Sequence, residues 1–227
     1  MVPKCLAIIP DGNRRYAQAN GLPAVEGHRR GLHNAREITR VAFECGVEHV
    51  VFWGASESNL NERSVEEKTN IFKLLKLELR QRLFRTEKVR FRLRGAWQEH
   101  ATDSAIAEMA RLVEERTAKY HEHQLTLLFG YDGERDIEQA VQKLHELQVR
   151  PTRQLIREHL WTAHLPDVDM LIRTGVDGDP HDSDAFLPLQ RRNAQLVFSS
   201  LRWPDFEAEH LDAAFNDFAG RERRMGA

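Results

Sequence analysis

Short apolar runs alternate along the chain with longer amphipathic stretches. Runs of strand character occupy residues 5–9, 49–55, 89–95, 125–130, 169–173 and 195–199. Apolar positions at helical spacing predict helices near residues 28–45, 64–84, 100–122, 133–148, 152–162 and 207–223. Strands that alternate with helices are typical of a mostly parallel sheet with helices packed on its faces. We therefore expect one α/β domain over residues 1–227, with a central sheet of about six strands.

Composition narrows the class of function. Hydrophobic residues make up 41% of the chain and the net charge is -2, so a global basic field for nucleic acid is absent. The N-terminal apolar run is too short for a signal peptide, and no run approaches the roughly 20 residues of a membrane span. Cys5 and Cys45 are the only cysteines, and we expect both to be buried thiols. A cytoplasmic protein that binds no nucleic acid is the expectation.

Polar residues follow four of the predicted strands at the point where each strand ends. The segments concerned are residues 11–15, 56–59, 131–133 and 173–175. Because the carboxyl ends of parallel strands meet at one edge of a sheet, these segments should lie together. Ligands of open α/β sheets bind at that edge, so we expect the functional site there.

The segment DGNRRYA, residues 11–17, indicates an anion site. Arg14 and Arg15 beside the start of a helix favour phosphate oxygens. The Asp11 carboxylate would repel such an anion unless a divalent cation lay between them, an arrangement that Mg2+ favours. The alternative is that Asp11 caps a helix and that both arginines are solvated.

Two further segments carry candidate chemistry. EGHRRG, residues 26–31, places His28 at a glycine-bounded helix start, although a lone histidine is more often structural. The loop at residues 173–184 is rich in acidic residues and does not match the calcium-loop spacing of an EF-hand, so a solvated turn is its plain alternative. Walker, GxSxG and CxxC patterns are absent from the sequence.

The motifs together resemble one family. DGNRRYA, EGHRRG, GYDGERDI, DMLIRTG and the terminal LRWPDF with RERRMG occur in this order over almost the whole chain. This set resembles the cis-prenyltransferases, the undecaprenyl diphosphate and dehydrodolichyl diphosphate synthases. The resemblance implies a hydrophobic tunnel between sheet and helices, a homodimer and dependence on Mg2+. It also implies elongation of an allylic diphosphate, such as farnesyl or geranyl diphosphate, by isopentenyl diphosphate to a cis-polyprenyl diphosphate. Peripheral membrane contact for a lipid product is a further expectation.

The resemblance also assigns site residues by position. Asp11 would engage Mg2+ and the allylic diphosphate. Residues that would hold that diphosphate are Gly12, Asn13, Arg14, Arg15 and Tyr16. Residues matching positions around the reacting centre are Asn13, His28, Ser56 and Asn59. Arg173 and Ser183 would bind isopentenyl diphosphate, and Arg224 with Gly226 would reach the partner subunit's site.

Departures from the family pattern leave alternatives open. Leu60 replaces a tryptophan, Glu62 falls at an arginine position, and Gln195 replaces a metal-binding glutamate. In one interpretation the acidic loop supplies replacement metal ligands, the candidates being Asp177, Asp179 and His181. In a second, weakened isopentenyl diphosphate binding leads to a short product or to irregular condensation of dimethylallyl units. In a third, the chain is a silent partner subunit, against which the retained motif residues argue.

Overall fold

The computed structural model describes residues 1–80, 84, 87–101, 103–181, 183 and 185–221. Its strands are β1 Cys5–Ile9, β2 His49–Ser56, β3 Val89–Arg94, β4 His123–Tyr131, β5 Met170–Arg173 and β6 Gln195–Phe198. Its helices are α1 Asn13–Ala19, α2 Ala24–Glu44, α3 Glu57–Glu62, α4 Val65–Leu79, α5 Trp97–His100, α6 Ala105–Thr117, α7 Gly133–Glu146, α8 Arg153–His159 and α9 Ala208–Gly220. A 3₁₀ turn, Trp203–Asp205, precedes α9.

The strands form one parallel sheet in the order β3-β4-β2-β1-β5-β6. The central strand β1 pairs with β2 on one side and with β5 on the other, so Ile8 lies between Phe52 and Ile172. The chain builds one half of the sheet from β1 to β4 and then returns to the other side of β1 with β5, so the loop after β1 lies at the switch point where such folds bind ligands. The predicted six-stranded α/β domain is confirmed.

The unbroken apolar sequence of β1 reflects burial on both faces of the sheet. Leu6 and Ile8 join the larger core beneath α2, α4 and α9, whereas Cys5, Ala7 and Ile9 join a smaller core on the opposite face. A strand covered by helices on both sides has no solvent face, so its sequence does not alternate between apolar and polar residues.

Helix α2 begins at Ala24, before the predicted start at residue 28. The prediction treated the nearby glycines as boundary signals, but Gly27 and Gly31 both lie within the helix. A Cβ on Gly27 would come within 2.2 Å of the Asn13 carbonyl oxygen, so this glycine allows α1 to pack closely against α2. The predicted boundary was wrong because the glycines serve packing rather than termination.

Other helix boundaries also differ from the prediction. The helix expected at residues 100–122 is shortened to α6, Ala105–Thr117, since α5 already ends at His100, and α8 ends at His159 rather than at residue 162. The helix start considered beside Arg14 and Arg15 is that of α1, whereas α3 was not placed, because six residues are too few to show a helical period. The expected ends at residues 84 and 223 lie in or beside parts of the chain outside the described residues.

Two expectations drawn from composition concern exposure. Cys5 is buried as expected, but Cys45 is exposed, so the prediction of two buried thiols was wrong. Cys45 follows the last residue of α2, where the apolar stripe of that helix has already ended. Among the described helices, none is both long and apolar enough to cross a membrane.

Candidate active site

The turn after β1 holds Asp11 at the carboxyl edge of the sheet. Gly12, at the N-cap of α1, has a φ of 102°, a left-handed conformation that favours glycine. The Asp11 carboxylate accepts a hydrogen bond of 2.6 Å from the Gly12 amide, and its carbonyl oxygen accepts from the Trp203 amide at 2.9 Å. No side-chain cap is made at α1, so the alternative in which Asp11 caps this helix is wrong.

Two guanidinium groups flank the Asp11 carboxylate. Arg15 Nη2 lies 3.2 Å from Asp11 Oδ1, and Arg173 Nη2 lies 3.5 Å from Asp11 Oδ2. The Arg173 side chain is 8% exposed, so its charge acts in a poorly solvated setting. One cavity is lined by Asp11 and by four arginines, an excess of positive charge that suits an anionic ligand; the arginines are Arg14, Arg15, Arg63 and Arg173.

Residues of the acidic loop are hydrogen-bonded or ion-paired to the same two arginines. Arg15 donates to the Gly175 carbonyl oxygen at 2.8 Å and forms an ion pair with Asp177. Arg173 donates to Ser183 Oγ at 2.5 Å and to the carbonyl oxygen of His181 at 2.9 Å. The sequence separation of more than 150 residues between Arg15 and this loop is closed by the pairing of β1 with β5.

A hydrogen-bonded series follows β2. Ser56 is the N-cap of α3, and its hydroxyl accepts from the Asn59 amide at 3.0 Å and from Asn59 Nδ2 at 2.5 Å. Asn59 Oδ1 accepts in turn from Arg63 Nη2 at 3.2 Å. The resemblance placed the arginine position on Glu62, with Arg63 adjacent, and did not assign Arg63 to the site. Its spacing of four residues from Asn59 on a helical turn was the signal that could have identified it.

Three side-chain atoms in this site are buried and lack a hydrogen-bond partner within the described residues. They are Asn13 Oδ1, His28 Nε2 and Arg63 Nε. Because buried polar groups are normally paired, such atoms indicate a place for a polar ligand. Burial, together with the charges of Arg63 and Arg14, lowers the pKa of His28 to about 4, so its imidazole is neutral at pH 7.

Gly31 allows Asn13 to reach its place. A Cβ on Gly31 would come within 2.0 Å of Asn13 Oδ1 and 2.9 Å of the Trp203 ring. Asn13 Nδ2 donates to the Pro10 carbonyl oxygen at 3.0 Å, which fixes the orientation of the amide. Gly31, the last residue of the EGHRRG motif, is therefore required because any side chain at this position would clash with Asn13.

Two cavities meet at these residues. A polar cavity of about 450 Å³ lies over the loops after β1, β2 and β5. An apolar cavity of about 130 Å³ lies between the sheet and helices α2 and α4, where Ile71, Leu74 and Leu75 line it. Residues that line both cavities are Pro10, Asn13, His28, Gly54 and Arg63. The arrangement suits a ligand with an anionic head and an apolar tail.

Most of the predicted site residues line the polar cavity. They are Asp11, Gly12, Asn13, Arg14, Arg15, His28, Ser56, Asn59, Arg173 and Ser183. Tyr16 is directed elsewhere, because its hydroxyl accepts a hydrogen bond of 2.7 Å from Arg30 on α2. Arg224 and Gly226 lie outside the described residues.

The donor set around Asp11 limits how a metal ion could bind. Within the described ranges, no group of three or more His, Cys, Asp or Glu side chains could hold one. Asp177 pairs with Arg15, and Asp179 Oδ2 lies 3.1 Å from His181 Nδ1; their proposed role as replacement ligands stays a prediction. The single carboxylate of Asp11 fits Mg2+, which commonly takes one or two carboxylates and completes its shell with phosphate oxygens and water.

Comparison with known proteins shows that the chain is similar to one family of enzymes. A family model described as putative undecaprenyl diphosphate synthase matches residues 9–226. An isoprenyl transferase of Aquifex pyrophilus is 34% identical over 99% of this chain and 96% of that protein. A ditrans,polycis-undecaprenyl-diphosphate synthase of Pseudomonas syringae pv. tomato, specific for (2E,6E)-farnesyl diphosphate, is 35% identical over 99% of this chain and 91% of its own.

A solved structure shares the fold over the full length. Lavandulyl diphosphate synthase from Lavandula x intermedia, in complex with dimethylallyl diphosphate, superposes with a TM-score of 0.90. The match covers 100% of this chain and 99% of that one, at 24% sequence identity. At this identity the similarity concerns the fold alone.

Proposed function

This chain belongs to the undecaprenyl diphosphate synthase family, the cis-prenyltransferases, and from that premise we propose a chemistry for its site. It joins isopentenyl diphosphate to an allylic diphosphate with cis geometry and releases diphosphate. The observation that carries the proposal is the junction of the polar cavity with the apolar one. A substrate with a diphosphate head and an isoprenoid tail has matching chemistry at both ends.

The allylic diphosphate binds at the turn after β1. Arg15 beside Asp11 supplies charge-assisted donors to the phosphate oxygens. Arg14 is 61% exposed and lies 3.7 Å from Glu67, and a change of rotamer would bring its guanidinium to the same oxygens. Mg2+ held by Asp11 would neutralise charge on the departing diphosphate and so favour cleavage of the allylic C–O bond. The excess of arginine over carboxylate in this site acts in the same direction.

Isopentenyl diphosphate binds at the loop after β5. Arg173 already holds Ser183 and the His181 carbonyl oxygen, so this guanidinium is oriented before a ligand arrives. Because Arg173 also lies 3.5 Å from the Asp11 carboxylate, both diphosphates would be close to one another. That proximity places the isopentenyl double bond near the allylic carbon.

The reaction then needs one carbon–carbon bond and one proton transfer. The isopentenyl double bond attacks the allylic carbon as its bond to diphosphate oxygen breaks, and a proton leaves the resulting cation. Neutral His28 is a weak base beside Arg14 and Arg63, so the released diphosphate is the better proton acceptor. Asn13, His28 and the Ser56–Asn59 pair line the cavity junction or its rim, where they orient the reacting groups.

The family also suggests how the protein is assembled. We propose a homodimer in which the terminal segment with Arg224 and Gly226 completes the partner's site, as in the family pattern. Contact with a membrane surface would assist release of a lipid product.

Product analysis tests the proposal directly. Purified protein is incubated with Mg2+, labelled isopentenyl diphosphate and, in separate reactions, dimethylallyl, geranyl or farnesyl diphosphate. Incorporation of label into cis-configured products is the expected result. Consumption of dimethylallyl diphosphate alone would indicate irregular condensation instead, and activity that appears only with a co-purified chain would indicate a silent partner subunit.

A further inference from the structure

Away from its junction with the polar cavity, the mainly apolar cavity is also lined by a pair of opposite charges. Arg36 on α2 donates to Glu78 Oε2 on α4 from Nε at 2.9 Å and from Nη2 at 2.7 Å. The Glu78 side chain is 8% exposed and that of Arg36 is 27% exposed. Burial raises the pKa of Glu78, and the Arg36 hydrogen bond opposes that rise. Charged side chains are not expected in the part of a cavity that would contact an apolar isoprenoid tail.

The pair lies about two helical turns from the junction with the polar cavity. His28, Gly31, Leu32, Ala35, Arg36 and Thr39 line the cavity as one stripe of α2. At 1.5 Å per residue, the eight residues from His28 to Arg36 span about 12 Å. Glu78 lies seven residues after Ile71 on α4, about two helical turns further along the same wall.

An apolar chain gains nothing by reaching this pair. Moving a methyl-branched tail against a buried charge removes the remaining solvation of that charge without offering a hydrogen bond. Separating the two charges would leave each one buried and unpaired, which is costly. The first part of the cavity, lined by Leu32, Ala35 and Leu75, has no such penalty.

We propose that Arg36 and Glu78 form a polar stop that limits the length of the product, an inference that rests on the proposed function. An extended chain advances about 3.6 Å per three bonds, so a four-bond isoprene unit spans about 5 Å. The distance from His28 to the stop then admits two to three isoprene units. The cavity volume of about 130 Å³ also favours a short tail, since an apolar cavity of roughly 150 Å³ holds one benzene-sized group, which is about the size of one isoprene unit. The substrate class of this enzyme is accordingly the short-chain prenyl diphosphates.

Replacement of the pair by apolar residues tests the stop. The double variant Arg36→Met/Glu78→Leu removes both charges together, a change that folded proteins generally tolerate. We expect the wild type to end at about three isoprene units and the double variant to raise the fraction of longer products at least tenfold. The matched control is Arg40→Met/Glu44→Leu, which removes a solvent-exposed ion pair from the same helix and should leave product length unchanged.

A binding measurement makes the test independent of turnover. Unreactive saturated alkyl diphosphates of increasing length are titrated into wild type, double variant and control by calorimetry. Affinity for the wild type should stop rising near the length of three isoprene units and should continue to rise for the double variant. If the double variant does not fold, the wild-type affinity series still decides the question.

The outcomes separate the two proposals. No product from any primer, with the length limit on binding intact, overturns the proposed function and supports the stop. Long products from the wild type, or a wild-type affinity that rises with length throughout, overturn the stop and leave the proposed function standing. Unchanged product length in a folded double variant also overturns the stop.

Discussion

Two acidic clusters lie at the carboxyl edge of the same sheet, and they differ in burial and in hydrogen bonding. Asp136, in the first turn of α7, is 1% exposed. Its carboxylate accepts from the Trp161 amide at 2.6 Å, Thr162 Oγ1 at 2.7 Å, Gln139 Nε2 at 3.1 Å and the Tyr131 hydroxyl at 3.3 Å. Every side of this carboxylate is occupied by the protein itself.

The cluster around Asp11 is less complete. Its carboxylate is 42% exposed and receives two guanidiniums at 3.2 and 3.5 Å, while Asn13 Oδ1 and His28 Nε2 nearby have no partner within the described residues. The contrast shows what separates a structural buried charge from a binding one. A carboxylate that the fold fully satisfies stabilises the fold, whereas polar groups left unsatisfied are available to a ligand.

The largest effect expected from this contrast is on catalysis. Asp11→Asn should lower kcat/KM about 100- to 1000-fold, because the oxygen proposed to bind the metal ion and balance charge at the diphosphate is lost. Thermal stability should change little, since the carboxylate is partly exposed. Steady-state assays and thermal melts check both parts, with Asp217→Asn, at an exposed surface pair, as the control. Activity within threefold of the wild type would contradict the role of Asp11.

The converse effect is expected at Asp136. Asp136→Ala should reduce the free energy of unfolding by about 3 kcal/mol, because the Trp161 amide and Thr162 hydroxyl lose their acceptor inside the protein. The activity per folded molecule should stay within about twofold of the wild type. Urea unfolding and active-site titration measure the two quantities. A catalytic loss without a loss of stability would show that this cluster is not purely structural.

Substitution of Arg63, which lines both cavities, tests whether this side chain belongs to the active site. Arg63→Lys should lower kcat/KM by roughly tenfold, since a lysine cannot donate to Asn59 and present a second planar donor to substrate at once. Arg80→Lys, at the exposed C-cap of α4, is the matched substitution and should leave kcat/KM unaltered. Equal kinetics for the two variants would remove Arg63 from the site.

The smallest effect concerns protonation of His28. Its pKa is lowered to about 4 in the folded protein, so its imidazole should not titrate between pH 5 and 8. Because the unfolded value is about 6.5, neutral His28 contributes stability that is complete above pH 6.5 and is lost as pH falls towards 4. NMR titration of the folded protein, compared with the urea-unfolded chain, measures both values. A folded-state midpoint near 6.5 would contradict the burial argument.

Much of this architecture could be predicted from the sequence. The apolar runs located the six described strands: β1 and β5 are buried along their whole length, whereas β3 shows the alternation of a half-buried strand. The polar segments after β1, β2 and β5 were placed together by the rule that parallel strands end at one edge. The residues of the DGNRRYA motif therefore met Arg173 as expected, although the two segments are far apart in the chain.

What could not be predicted depends on helix phase and on long-range partners. Glu62 and Arg63 differ by one position, and matching to the family motif does not give the helical phase that turns Arg63 towards the cavity. Tyr16 was expected at the diphosphate but pairs with Arg30, because α1 packs its far side on α2. Glu78 was part of a leucine-rich segment, and its partner Arg36 lies 42 residues earlier, beyond the reach of any local pattern.

The position of β1 at the centre of the sheet has a consequence for synthesis of the protein. A nascent chain that has left the ribosome as far as β4 can already assemble β3, β4, β2 and β1, since those strands are neighbours in the sheet. Until β5 emerges, however, β1 is an unpaired apolar edge, the kind of surface that promotes aggregation. We therefore expect the half-made chain to need protection by chaperones, and the final third of translation to close the edge and complete the site together.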